Sequence, residues 1–247
     1  PDSLLTENNL SYTELNDIDF EGRDLSNTIF EQVEINNSNM QNVDISHSNF
    51  VQVDFTNIKN KSLVGAKVLE TSFAYSDLRG IDVSGLDFSF AVFTHANLSG
   101  LDFSNSEFFA NHFNSANLQN TNFSGIDLSP KDLIFQKIFP KKSYLVNLYG
   151  DNPVELAKQL WPNSITNFPY SLKISGDDLI VEYIIFNDLR NTNLQNADFT
   201  NTNLSTVWLH NANLSGANLS GANLSSSHLS GANLSGANLS GANLSGA

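Results

Sequence analysis

The 247-residue chain contains no cysteine. That excludes disulfides, thiolate nucleophiles and zinc–thiolate sites, and suits a cytosolic or an exported protein alike. Positive charge is scarce: 12 Lys and Arg stand against 26 Asp and Glu, for a net charge of −14. A protein so acidic does not bind nucleic acid directly, because phosphates call for the opposite sign. No apolar run approaches the ~20 residues of a membrane span, and no secretory signal pattern is visible. The five histidines (His47, His95, His112, His210 and His228) are scattered, lie beside no matching ligand or base, and read as surface residues. No Gly-rich phosphate loop, metal-spaced cluster or nucleophile elbow occurs. The chain therefore reads as non-enzymatic, with no cofactor and no metal, and any active site between 129 and 183 would have to work without Cys or His.

What the chain has in abundance is a five-residue phrase. Ala-Asn-Leu-Ser-Gly recurs from Ala212 to Gly246, and degenerate copies reach back to the first residues. Leu or Phe is central, a small residue stands two places before it, Asn or Asp one place before, and Ser or Gly after. Five is a poor period for a helix, where side chains advance 100° per residue and no apolar face would form. It is equally poor for a straight strand, where an odd period sends successive centres to opposite faces. A short extended piece with a bend every five residues reconciles the pattern, and stacking such windings buries a core that no single repeat could bury.

Counting by twenties aligns Phe73, Phe93 and Phe113; Leu78, Leu98 and Leu118; Val83, Phe103 and Phe123; and Phe88, Phe108 and Leu128. Four units per turn make a four-sided winding, with neighbouring windings about 4.8 Å apart. The phase slips once after Phe55, where Ile58 is taken as the next centre and a kink or bulge is expected at Thr56-Asn57. It is lost again after Ser129-Pro130 and returns by Ile184 or Leu189. Three sections follow: an acidic repeat section at 1–128, a non-repeat insertion at 129–183, and a neutral Asn/Ser-rich repeat section at 184–247.

The insertion holds five of the six prolines and half of the Lys and Arg. A helix is expected over Val154–Trp161 behind Asp151-Asn152-Pro153, and short strands over Ser143–Tyr149 and Leu179–Phe186. Long insertions on rigid scaffolds often carry function. Lys137, Lys141 and Lys142, with Tyr144 and Trp161, form a candidate docking surface.

The tandem units resemble the pentapeptide-repeat family, commonly written A(D/N)LXX, over residues ~8–128 and ~184–247. The resemblance implies an all-β fold: a right-handed quadrilateral parallel β-helix, here with one folded α/β insertion and roughly nine windings. It also implies that the residue before each centre faces solvent. Residues 1–128 carry 18 acidic and 5 basic side chains, and most of the acids take that position. They should stack as ladders: Glu14, Glu34 and Asp54; Asp24 and Asp44; Asp82 and Asp102; Asp87, Glu107 and Asp127. Asp82, Asp87, Asp102, Glu107 and Asp127 are the candidate acidic binding face.

The leading functional expectation is a bacterial scaffold for protein–protein interaction, cytoplasmic or delivered into a host cell, whose protein partner the sequence does not name. A second is mimicry of the DNA phosphate backbone, the way family members that inhibit or protect DNA gyrase work. A surface or ice-binding rod comes last, because the exposed ladders are Asn and Asp rather than Thr. Eight Asn-Leu-Ser tripeptides are formal glycosylation acceptors, but the repeat generates them automatically. The chain starts at Pro1 and stops mid-repeat, so a longer natural protein is expected. Without a cap after Ala247, the last winding should favour end-to-end self-association.

Overall fold

The computed structural model describes residues 8–109, 111–129 and 187–247, together with the backbone of three strands between 131 and 185. Every letter of the five-residue phrase has a local task. At most corners the carbonyl of the centre accepts the N–H three residues on, as in Ala66 to Leu63 (2.9 Å) and Ala217 to Leu214 (3.0 Å), which closes a β-turn. The second turn residue has positive φ, +76° at Gly65 and +59° at Asn120, the type II geometry that favours Gly and Asn. The residue before the centre braces that turn: Oδ1 of Asp24 accepts the N–H of Ser26 at 3.0 Å, and Oδ1 of Asn213 that of Ser215 at 3.2 Å. Asp and Asn do this readily because their short side chain brings its oxygen within reach of the N–H two residues on.

Windings pair in parallel, and one outward column runs through Asn9, Ile29, Asn49, Ser72, Val92, His112, Asp188, Trp208 and His228. Its nine members number nine windings. We call this side face A. Faces B, C and D follow in chain order, beginning with Glu14, Asp19 and Asp24. Strands β1 (Ile29–Glu31) and β2 (Asn49–Val51) lie on face A and pair in parallel register.

The centres fill the interior. Behind face A, Phe30, Phe50, Phe73, Phe93 and Phe113 form one stack, with successive ring centroids 4.3, 5.8, 5.5 and 5.0 Å apart and planes within 12°. All the twenty-residue alignments read from the sequence place their centres in the buried core.

The slip differs from expectation. Thr56-Asn57 is an ordinary turn, because Ile58 N–H bonds Phe55 C=O. Ile58 is buried in the small-residue slot before the next centre, Leu63, rather than being a centre itself. Lys59–Lys61 then form a single 3₁₀ turn, with Asn60 at φ +58°, that loops three extra residues out between slot and centre. Stacking across it runs at an offset of 23, as in Asp54 over Asp77. A loop outward at a corner leaves the packed interior undisturbed, which a bulge inside the winding would not.

The chain divides into two compact units, Lys131–Ile185 and Pro1–Pro130 with Phe186–Ala247. Winding pairs resume across the interruption: His112 pairs with Asp188 and Asp127 with Asn203. Leu189 is the returning centre, Asn187 its small-position residue, and the Phe123 and Phe199 rings stack at 5.2 Å across the break. The inserted unit contains β3 (Lys137–Phe139), β4 (Tyr170–Ser175) and β5 (Asp178–Tyr183) in an antiparallel sheet of order β3-β5-β4. The strand expected at 179–186 overlaps β5, whereas β3 and β4 lie where the sequence reading places no strand. The helix expected at 154–161 and the strand at 143–149 lie outside the described residues. At the last winding, Leu229, Leu234 and Leu239 are only partly buried and Leu244 is 40% exposed.

Candidate interaction faces

Face C carries Asp82 and Asp102, and the adjacent face D carries Asp87, Glu107 and Asp127. All five are exposed, and among the described residues none pairs with a basic side chain. Four brace their own corners: Asp82, Asp87, Asp102 and Asp127 accept the N–H two residues on, at 3.0, 2.9, 3.0 and 3.0 Å. The Ser84 hydroxyl and N–H hold the Asp82 carboxyl below the usual carboxylate range.

Asn does this bracing equally well, and more. In the neutral section most of these Asn Nδ2 groups also donate to Oδ1 of the winding before, as in Asn213 to Asn193 (3.3 Å), Asn238 to Asn218 (3.1 Å) and Asn243 to Asn223 (3.2 Å). Asp lacks that donor. An Asp over an Asp thus forgoes a ladder bond and adds like-charge repulsion close to ~1 kcal/mol per pair at ~5 Å in water. Folding does not ask for negative charge at these positions.

Two other acids of the ladders are compensated. Lys67 Nζ reaches Asp44 at 2.8 Å and Arg79 reaches Asp77 at 2.7 Å. Burial pushes the Asp44 carboxyl up, but the bonds from Lys67 and Ser46 outweigh it and hold it low. On faces C and D of windings four to six, by contrast, no acid has a basic partner among the described residues.

Of the insertion surface, Lys137 lies on β3, its backbone paired with Val181. Lys141, Lys142, Tyr144 and Trp161 lie outside the described residues.

Face A was not foreseen. Four of the five histidines sit on it, against the expectation of scatter. His210 and His228 stack at 5.5 Å beside Trp208, while His47 belongs to a corner of face D and lies 3.1 Å from Glu70. Nor is His112 an ordinary surface residue: burial holds its imidazole below the usual 6.5, with Asp188 opposing and Arg190 adding to the shift. Arg190 pairs with Asp188 at 2.6 Å and lies over the Trp208 ring at 4.9 Å.

Face A also breaks the rule kept on the other sides. Six of its nine positions before the centre are Ile29, Ser72, Val92, His112, Trp208 and His228, where B, C and D hold almost only Asp, Asn or Glu. At its corners Tyr12, Tyr75 and His95 adopt φ of +61°, +59° and +59°, a left-handed conformation that costs most side chains about 1–2 kcal/mol. Non-Asx residues at every fourth repeat were legible in the sequence, but only against a frame that carries the slip and the insertion.

Among the described residues no helix is long and apolar enough to cross a membrane, and no group of three or more acidic or histidine side chains could hold a metal ion.

Comparison with known proteins places this geometry in a wider set. No curated protein sequence matches the chain. Solved structures do. One is HetL, a pentapeptide repeat protein involved in heterocyst differentiation regulation from the cyanobacterium Nostoc sp. strain PCC 7120 (20% identity, 96% of this chain and 89% of that one, TM-score 0.49). Another is QnrB1, a plasmid-mediated fluoroquinolone resistance protein, in a trypsin-treated variant form (16%, 92% and 91%, TM-score 0.37). A third is Rfr23 from the cyanobacterium Cyanothece 51142 (13%, 98% and 94%, TM-score 0.15). The family description "Pentapeptide repeats" matches in 8 copies over 24–57, 71–108, 87–129, 186–216 and 209–246. With more than half of its residues matched and its corners stacked in four ladders, the chain belongs to the pentapeptide-repeat family.

Proposed function

We propose that this protein is a non-enzymatic scaffold that binds a protein partner through the acidic faces C and D. Family members are generally structural or interaction proteins, which supports this reading. The observation that carries the reading is the run of acids in windings four to six that neither the fold nor a basic neighbour requires. Keeping a repulsive ladder where Asn would stabilise it is a trade of stability for recognition. The test is affinity capture with the wild type and with a variant carrying Asn at 82, 87, 102 and 127 and Gln at 107. Partners retained equally by both would overturn it.

A specific partner class follows from the spacing. Where faces C and D both carry an acid, windings about 4.8 Å apart place one charge per about 2.4 Å of axis. Duplex DNA carries one per ~1.7 Å. That similarity supports mimicry of the phosphate backbone toward a DNA-binding enzyme, with DNA gyrase as the partner to try first and the cytoplasm as the site of action. In a gyrase supercoiling assay the wild type should inhibit or protect, the five-site variant should not, and the effect should weaken steeply with salt. A wild type without effect at low salt removes gyrase and leaves the scaffold reading standing.

A further inference from the structure

We propose that face A, over windings one to five, is a second binding surface, and that its partner is an amphipathic helix with basic flanks.

The stripe consists of Tyr12, Ile29, Val51, Tyr75, Val92 and His95. Tyr12 is 68% exposed, Tyr75 55% and Ile29 41%, where few other large apolar side chains among the described residues are exposed. The Tyr75 and His95 rings stack at 4.7 Å, so two corners of successive windings present one aromatic ledge. Two independent local rules are broken here together. Ile29 and Val92 give up the turn-bracing oxygen, and Tyr12, Tyr75 and His95 occupy positions where Gly or Asn is at ease. Sites where local rules fail without a folding benefit are where function is expected.

The shape and surroundings select the partner. From Tyr12 to His95 the stripe spans four winding intervals, about 19 Å, along the solenoid axis. It is one face wide, so it matches a helix of about 13 residues lying lengthwise. A second copy of the chain is a poor fit, since a stable protein interface needs about 800 Å² per partner, far more than this strip offers. Charge completes the match. Over windings one to five, Glu14, Glu34, Asp54 and the Arg79-paired Asp77 on face B, and Asp24, the Lys67-paired Asp44, Asp87 and Glu107 on face D, leave both borders of the stripe net acidic. The stripe's own acid, Glu31, accepts a hydrogen bond from the Tyr12 hydroxyl. An apolar helix face rimmed by Lys or Arg would place its charges against both borders.

The test uses the whole chain and a labelled Leu/Lys helical peptide of about 18 residues, with a same-composition scramble whose Leu residues share no face. Fluorescence anisotropy at ~0.1 M salt, where exposed charges are partly screened, should show the amphipathic peptide binding at least about tenfold tighter than the scramble. Ile29→Asn/Tyr75→Asn/Val92→Asn should abolish that preference. Asn suits all three positions, so the far-UV spectrum and urea midpoint should be kept. The corner variant Tyr75→Asn/His95→Asn gives a second route should the triple variant misfold, and should lower the preference at least threefold. Asp82→Asn/Asp102→Asn, on the opposite face C, should leave it unchanged, which separates this surface from the acidic one. Equal binding of the two peptides, a preference that survives both face A variants, or no binding at all would overturn the proposal.

Discussion

Phe93→Ala is the sharpest test of the stacked core. Phe93 is fully buried, lies parallel to Phe73 at 5.5 Å and to Phe113 at 5.0 Å, and meets the edge of Phe88 at 5.4 Å. The windings on either side are held by backbone bonds, Phe73 N–H to Val92 C=O and Phe93 N–H to His112 C=O, both 2.7 Å. The cavity left by alanine therefore cannot collapse along the axis, and the cost should lie near the top of the usual 3–5 kcal/mol range for such truncations. Phe93→Leu should behave differently. Leu10, Leu189, Leu209 and Leu229 fill the same column in other windings, so leucine fits the slot and should cost below about 1.5 kcal/mol. Urea unfolding followed by far-UV circular dichroism measures both. An alanine cost under about 1 kcal/mol, or equal costs for the two variants, would refute the stacking.

Three further outcomes are expected. His112 has its pKa lowered by burial, so on acidification the unfolded chain takes up this proton first. Its contribution is complete above about pH 6.5 and falls as the pH drops toward the folded value. His112→Asn should flatten stability over that window, and an unchanged pH profile would contradict the burial. Deleting 131–186 should leave a folded solenoid, because Asn187 follows position 130 in the repeat count. Pro130→Gly belongs in the same variant, since the equivalent corners, such as Ser226 (φ +55°), need positive φ, which proline cannot adopt. Loss of the β signal on deletion would show that the inserted unit is required for folding. The 247-residue chain should self-associate with concentration, because the winding from Leu229 to Leu244 leaves its centre N–H groups unpaired. Light scattering that stays monomeric at high concentration would rule this out.

How much was legible depends on range. The centres, the four-sided winding and the Asp or Asn before each centre were readable because each follows from residues within five or twenty positions, whereas the turn-bracing bond of that residue emerged only from the structure. The acidic ladders inside one uninterrupted block were readable for the same reason. Ile58 was misread because a buried isoleucine suits a centre and a small-residue slot alike. The aromatic and histidine character of face A was overlooked because its members are twenty or more residues apart, and in one step 76.

The sequence by itself determined the repeat, the core positions and the excess of acid, since period and side-chain chemistry are local and repeated often enough to be unambiguous. Tertiary structure alone decided how three blocks of that repeat are keyed together. The offset of 23 across Lys59–Lys61 sets Asp54 over Asp77, and the resumption at Leu189 sets Asp188 over His112. A corner can loop out any number of residues at little energetic cost so long as the next centre re-enters the stack. The registry of the faces, and with it which charges and rings share a side, is therefore set by packing between windings and not by the order of residues along the chain.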